Sequence, residues 1–276
     1  MQIKVVFYYI TLLTGLFLLM VNLYGLNRDI RVDDFDNQYL LFPNDQPVDF
    51  NSTSLELLRR QNENDIEFAS RVTMVIERGM AHIKWIVYPE EQFNQLIPIW
   101  ENYFLYFMGK YSGIPEYERY HFTNYHRSLE RGIGICGDAS MVISQVLNEQ
   151  SISNKIITFP GHVVVAASFK NGKQYIFDAD YGITIPFSLQ EFPSNSSKIA
   201  KLYSDAGYPR RDFLLFQKIY KENYNEWDGV EHFITNKYYF EMVAYWLKWP
   251  LPICMMLLAI FMLNKTRKRK GKQLDS

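Results

Sequence analysis

Residues 5–26, VVFYYITLLTGLFLLMVNLYGL, contain no charged side chain. A helix rises about 1.5 Å per residue, so this run reaches across a hydrocarbon core of about 30 Å. A cleavable signal would have a shorter apolar core and a small-residue cleavage site. The run ends in MVNLYGLNRD and has no such site, so an uncleaved anchor is expected. A second apolar stretch, WLKWPLPICMMLLAIFML, covers residues 246–263. Trp246 and Trp249 suit an interfacial aromatic belt, and Lys248 can extend its stem to the interface. A buried C-terminal helix is the rival reading. The tail that follows argues against it, because Lys265, Arg267, Lys268, Arg269, Lys270 and Lys272 crowd directly after the apolar stretch. Such cations mark the cytoplasmic side and can touch anionic lipid.

Two spans place both termini on one side and the middle of the chain on the other. The expected order is a short cytoplasmic N-terminus (1–4), a transmembrane helix (5–26), an extracytoplasmic spacer (27–59), a folded domain (60–245), a second transmembrane helix (246–263) and a basic cytoplasmic tail (264–276). The chain has a net charge of −1 and the tail is strongly basic, so the middle is acidic. Nucleic acid is therefore not an expected partner. Membrane lipid is, through the two spans and the tail.

There are two cysteines. Cys254 lies in the second apolar stretch, so Cys136 has no partner for a disulfide within the domain. Outside the cytoplasm thiols tend to pair, which makes a lone one a candidate for chemistry. Its surroundings read RGIGICGDAS. After it, Ala139, Val142, Ile143, Val146 and Leu147 recur at helical spacing and predict a helix running to about Asn148. Cys136 then stands at a helix start, where the dipole and free N–H groups favour a thiolate and support an oxyanion. Asp138 opposes the thiolate if it lies close, or caps the helix.

Other segments predict a helix over 64–85 capped by Asn64, and a second over 91–111 interrupted near Pro98. Strands are predicted at 155–159, 162–169 and 174–178. A Pro/Ser/Asn loop is expected at 191–198, with helical stretches near 212–223. The tyrosines at 203, 208, 220 and 224, and Trp227, read as packing. Asn51 and Asn195 head glycosylation-type triplets.

A nucleophilic cysteine needs a base, and the base an orienter. His162 opens one predicted strand and Asp178 closes the next. Their register depends on the turn between them. A tight Asn171-Gly172 turn sets Lys170 opposite Lys173 and sends His162 and Asp178 to opposite faces. A three-residue loop, or a bulge with Gly172 left-handed, sets Phe169 opposite Lys173. Val163, Val165, Ala167, Phe169, Tyr175, Phe177 and Tyr181 then share one face, with His162, Ser168, Gln174, Asp178 and Asp180 on the other. The apolar pattern selects this register, which makes His162 and Asp178 diagonal neighbours.

Cys136-Gly137-Asp138 opening a helix, Gly161-His162-Val163-Val164-Val165 on a strand, and Asp178-Ala179-Asp180-Tyr181-Gly182 resemble the transglutaminase-like superfamily. The resemblance covers roughly residues 60–185, with its specific part at 131–182. It implies an α+β fold of the cysteine-protease type, a helix packed on an antiparallel sheet. It also implies Cys136 as nucleophile, His162 as base and Asp178 as orienter. Two departures bear on the substrate pocket: Gly134 and Ile135 stand where members often carry Trp, and DADYG stands for the common DPTWG. In such folds a second oxyanion donor comes from upstream, where Asn124, Tyr125 and His126 are candidates. The implied activity is cleavage or transfer of an amide or ester acyl group of a peptide, protein or cell-envelope substrate, through a thioester on Cys136. The alternative is a silent module of the same fold that binds an envelope polymer or scaffolds a membrane complex. No cofactor is expected. A zinc site from Cys136, His162 and Asp178 falls short of the four ligands that structural zinc takes.

Overall fold

The computed structural model describes residues 2–32, 35–42 and 45–274. Asp33, Asp34, Pro43 and Asn44 of the expected spacer lie outside the described residues, as do the last two residues and the side chains of Arg269, Lys270 and Lys272 in the tail. The chain divides into two compact units.

The first unit comprises Met1–Ile30, Glu90–Tyr120 and Phe240–Ser276. Its N-terminal helix, Gln2–Gly25, is long and apolar enough over Ile3–Gly25 to cross a membrane. It packs along the C-terminal helix, Pro250–Leu274. The second expected span takes a different form. Trp246 and Leu247 finish a helix over Thr235–Leu247, and a new helix opens at Pro250. Neither helix passes alone as a span; together they do, with a bend of 46°. Proline lacks an N–H and has a helix-ready φ, so it begins a helix better than it continues one. Lys248, at the break, does not reach for an interface. It is buried, and its Nζ donates to the carbonyl of Glu101 at 2.7 Å while its own carbonyl accepts from Tyr103 Oη at 3.1 Å and from Asn22. The helix expected over 91–111 shrinks to Tyr103–Tyr111, because Asn102 caps it and Pro98 lies in the turns before.

The second unit comprises Arg31–Pro89 and His121–Tyr239. It is an α+β structure on one antiparallel sheet of five strands. These are β1 (Ser153–Phe159), β2 (His162–Ser168), β3 (Gln174–Asp178), β4 (Ile183–Ile185) and β5 (Asn225–Trp227), in the order β4-β3-β2-β1-β5. The β2–β3 register is the one the apolar pattern selects: Val165 faces Phe177 and Ser168 faces Gln174. The loop has three residues, closed by Phe169 N to Lys173 O at 2.9 Å, with Gly172 left-handed at φ 78°.

Val165, Ala167, Phe169 and Phe177 pack against the helices Asp65–Gly79 and Cys136–Glu149. The other face is not the polar surface the alternation suggests. Val164, Ala166 and Ile176 lie on it, buried under Phe192–Asp205 and Arg210–Ile219. Tyr181 joins this second cluster, because strand alternation stops at Asp178 and the turn after it redirects the chain. The loop expected at 191–198 is the first turns of the helix Phe192–Asp205. Pro193 sits in its first turn, where no N–H is required. Phe192, Ser196, Ile199, Ala200 and Tyr203 form its buried stripe; Asn195, in one of the two glycosylation-type triplets, is therefore helical.

The helix Asp65–Gly79 has its expected Asn64 cap, with Glu67 closing the capping box. It ends before 85 because Ala81 and Ile83 leave to bridge Ile133 and Leu40. Arg71 on this helix clamps the turn before it. Its Nε and Nη2 donate to Glu63 at 2.6 and 2.8 Å, and Nη2 also donates to the Leu58 carbonyl at 3.0 Å. Arg71's hydrogen bonds, opposed by burial, hold the Glu63 carboxyl at about 2, below its ordinary 4.5. A depressed carboxyl contributes stability above its unfolded pKa, and that stability is lost as pH falls through the folded value. The Tm of the wild type should therefore fall more steeply than that of Glu63→Gln between pH 4.5 and 2; parallel thermal melts across this range would show the clamp to contribute nothing.

Candidate active site

All groups of the site belong to the second unit. Cys136 is the first residue of the helix Cys136–Glu149, with a free, half-buried thiol. The strand-like segment before it is tied down by backbone bonds, Ala81 N to Gly132 O at 2.8 Å and Gly134 N to Ala81 O at 3.2 Å. Asp138 caps the helix start by accepting from the Ile135 amide at 3.0 Å. It also accepts from His121 Nδ1 at 2.7 Å, and His121 in turn stacks on Trp85 with ring centroids 4.4 Å apart. Burial pushes the Asp138 carboxyl up, but His121, Arg131 and the Ile135 amide outweigh it and hold it below its ordinary value. The Asp138 charge at the helix start is thus compensated locally.

His162 is positioned by a two-residue hairpin turn. Phe159 pairs with His162 across Pro160-Gly161. Gly161 is left-handed at φ 83°, and Pro followed by a left-handed Gly is the signature of a type II turn. An L side chain at Gly161 would strain the turn that sets the histidine's place. The imidazole is buried, packed by Phe216 and Tyr181 at ring-centroid distances of 5.0 and 5.8 Å.

Asp178, the last residue of β3, has none of its surface exposed. Its Oδ2 accepts from His162 Nε2 at 2.6 Å and from Tyr203 Oη at 2.6 Å. Its Oδ1 accepts from the amides of Asp180 and Tyr181 at 3.2 and 3.3 Å. Tyr203 is 2.6 Å from Tyr220, oxygen to oxygen. With Nε2 committed to Asp178, Nδ1 is the nitrogen left for the sulfur. Burial works against an imidazolium at His162; the Asp178 carboxylate, its hydrogen bond and Cys136 outweigh it, so the pKa stands well above its ordinary value.

Cys136 Sγ, a His162 ring nitrogen and an Asp180 carboxylate oxygen all lie within 4.8 Å of one another. Asp180 is placed by a second histidine. His82 Nε2 reaches Asp180 Oδ1 at 3.0 Å, and His82 Nδ1 reaches Asp45 Oδ2 at 2.8 Å. Burial disfavours the charge on His82, but Asp180 and Asp45 overcome it and raise its pKa well above the ordinary value. With a carboxylate at each nitrogen, His82 acts as a doubly donating bridge.

The structure thus brings together Cys136, His162 and Asp178 and adds Asp180, His82, Asp45, Tyr203 and Tyr220. The upstream candidates go elsewhere. Asn124 caps the helix Tyr125–Arg131 by accepting from the His126 amide at 3.0 Å. Tyr125 Oη donates to Glu149 at 2.9 Å, at the far end of the Cys136 helix. His126 stacks on Tyr125 at 4.0 Å. Asn124 Oδ1 serves as a cap, Tyr125 points to the far end of the Cys136 helix, and His126 stacks on Tyr125. Asp180 lies in the turn just past β3, where its amide donates to Asp178 Oδ1. His82 and Asp45 carried no readable signal, because their meeting with Asp180 is purely tertiary.

No protein-family model, curated protein or solved structure matches this chain.

Tyr203→Phe keeps the ring, which stacks on Phe216 at 3.8 Å, and removes one donor from Asp178. Losing a buried hydrogen bond to a carboxylate should cost about 1–3 kcal/mol of stability by denaturant unfolding; an unchanged midpoint would mean that Asp178 does not depend on this hydroxyl.

Proposed function

We propose that the chain is a membrane-anchored, extracytoplasmic cysteine enzyme of the transglutaminase-like type, which cleaves or transfers an acyl group through a thioester on Cys136. The observation that carries this reading is the buried His162–Asp178 pair beside a thiol at a helix start. Each part matches a chemical need. His162 Nδ1 takes the Sγ proton, and the thiolate attacks the substrate carbonyl carbon. The first turn of the helix has N–H groups without intrahelical acceptors, suited to the oxyanion that forms. His162 then returns the proton to the leaving amine or alcohol as the C–N or C–O bond breaks, leaving a thioester. Water or an amine gives its proton to His162 and attacks the thioester; the C–S bond breaks and the thiol is restored. Throughout, Asp178 holds the ring through Nε2 and stabilises the imidazolium. Tyr203 and the two turn amides hold Asp178 in turn.

The membrane arrangement follows the same reading. The N-terminal helix is the first anchor, the bent pair of helices near the C-terminus the second, and the basic tail faces the cytoplasm. The domain then acts on peptide, protein or envelope substrates outside the membrane.

The test is alkylation of Cys136 in the full chain, in a Cys254→Ser background and with EDTA present. Labelling should stay fast well below about pH 8.5, the region of a free thiol, and His162→Ala should slow it at least about tenfold there. A pH profile like that of free cysteine, untouched by His162→Ala, would sink the enzyme reading and leave a binding module. In sealed cells, a membrane-impermeant thiol reagent should reach Cys136 from outside. Labelling only after lysis would reverse the topology.

A further inference from the structure

We propose that Cys136, His162 and Asp180 form a three-ligand site for a borderline-soft divalent cation such as Zn²⁺, and that the cation, when bound, silences the thiol. The donor set is sulfur, imidazole nitrogen and carboxylate oxygen, all within 4.8 Å of one another. Zinc binds such ligands at about 2.0–2.3 Å, so modest closure around a central ion completes the contacts. Cys136 and Asp180 are both half-buried, whereas His162 is buried.

Two features go beyond proximity. Metal-bound histidines almost always give their second nitrogen to a carboxylate or carbonyl, and ligating carboxylates are themselves hydrogen-bonded. His162 already has Asp178 on Nε2, which leaves Nδ1 for the ion. Asp180 already has His82 on Oδ1, which leaves its other oxygen. Both non-sulfur ligands therefore stand ready with the outer partners that metal sites employ. The surroundings also suit a dication. Three carboxylates, Asp45, Asp178 and Asp180, meet two imidazoles and one thiol. Thiolate and imidazole donors select zinc, cobalt or cadmium over magnesium or calcium. The ligand set differs from the Cys136–His162–Asp178 trio considered from sequence, because Asp178 lies behind the histidine and Asp180 lies beside the sulfur.

Binding replaces the S–H bond with a sulfur–metal bond and needs the lone pair of Nδ1, so the thiol proton and the proton that Nδ1 carries in the imidazolium are both released to solvent. The same ion occupies Nδ1, the atom that would take that proton in catalysis. Binding itself is independent of the proposed acyl-transfer chemistry; only the consequence, a blocked nucleophile, rests on that reading.

The experiment uses the full chain with Cys254→Ser, stripped with EDTA and titrated with zinc chloride. Zinc should slow alkylation of Cys136, and EDTA should restore it. Asp180→Asn should raise the zinc concentration for half-protection at least about tenfold, relative to its own metal-free rate. Calorimetric titration of Cys136→Ser, a near-isosteric change, should show zinc binding weakened by at least about tenfold. Cobalt(II) should give a thiolate-to-metal charge-transfer band in the Cys254→Ser chain that is missing when Cys136 is also serine. Absence of protection, protection equal in Asp180→Asn, or unchanged affinity in Cys136→Ser would overturn the site. Fast labelling at low pH without zinc protection removes the metal site and leaves the nucleophile; ordinary labelling with zinc protection does the reverse.

Discussion

Burying a carboxylate is costly unless its oxygens find donors, and Asp178 is buried completely. The second unit meets that requirement from three directions. The β2 strand brings His162, the turn after β3 brings two amides, and the helix Phe192–Asp205 brings the Tyr203 hydroxyl. The last contribution explains why an extra helical layer covers the second sheet face. Without Phe192–Asp205 and Arg210–Ile219, Val164, Ala166 and Ile176 would be exposed, and Asp178 would lose a donor. One contact thus joins the fold's second core to the candidate site. The aromatic residues Tyr203, Phe216 and Tyr220 serve both, as packing and as hydroxyl or ring neighbours of the histidine.

Much of this was legible in the chain because its logic is local. The alternation of Val163, Val165 and Ala167 against Tyr175 and Phe177 fixes one register, and that register places His162 diagonal to Asp178. The helix start at Cys136 and the Asn64 cap follow from spacing and capping chemistry. What was not legible depends on partners distant in sequence. Ser, Asn and Pro at 193–198 read as a loop because the stripe of Phe192, Ile199 and Tyr203 is sparse and gains meaning only against the sheet. The second sheet face reads as open when β2 and β3 are considered without the helices that arrive later. Asn124, Tyr125 and His126 were plausible by position alone, and position does not give direction.

The first unit shows the same limit. Apolar length identifies the Gln2–Gly25 helix without further help. For the C-terminal stretch, hydropathy alone places one span, whereas Pro250 and the buried Lys248 place a break with a 46° bend. A lysine among apolar residues reads as an interfacial residue, yet here a carbonyl of Glu101 receives it. Polar groups in apolar surroundings are governed by which acceptor is near, and a hydropathy scale contains no such term.

The two histidines of the site differ in how far the chain must travel to assemble them. His162 and Asp178 are 16 residues apart, within one hairpin. His82 and Asp180 are 98 apart. Loop-closure entropy grows with the logarithm of separation, so the distant contact carries roughly 1.5 kcal/mol more of that cost. The pair that would serve the sulfur can therefore form as soon as its hairpin does. Asp180 is held only when the segment carrying Asp45 and His82 has docked. The least entropically protected part of the site is then the clasp on Asp180, because it waits on residues far away in the chain whereas the hairpin's own pair does not.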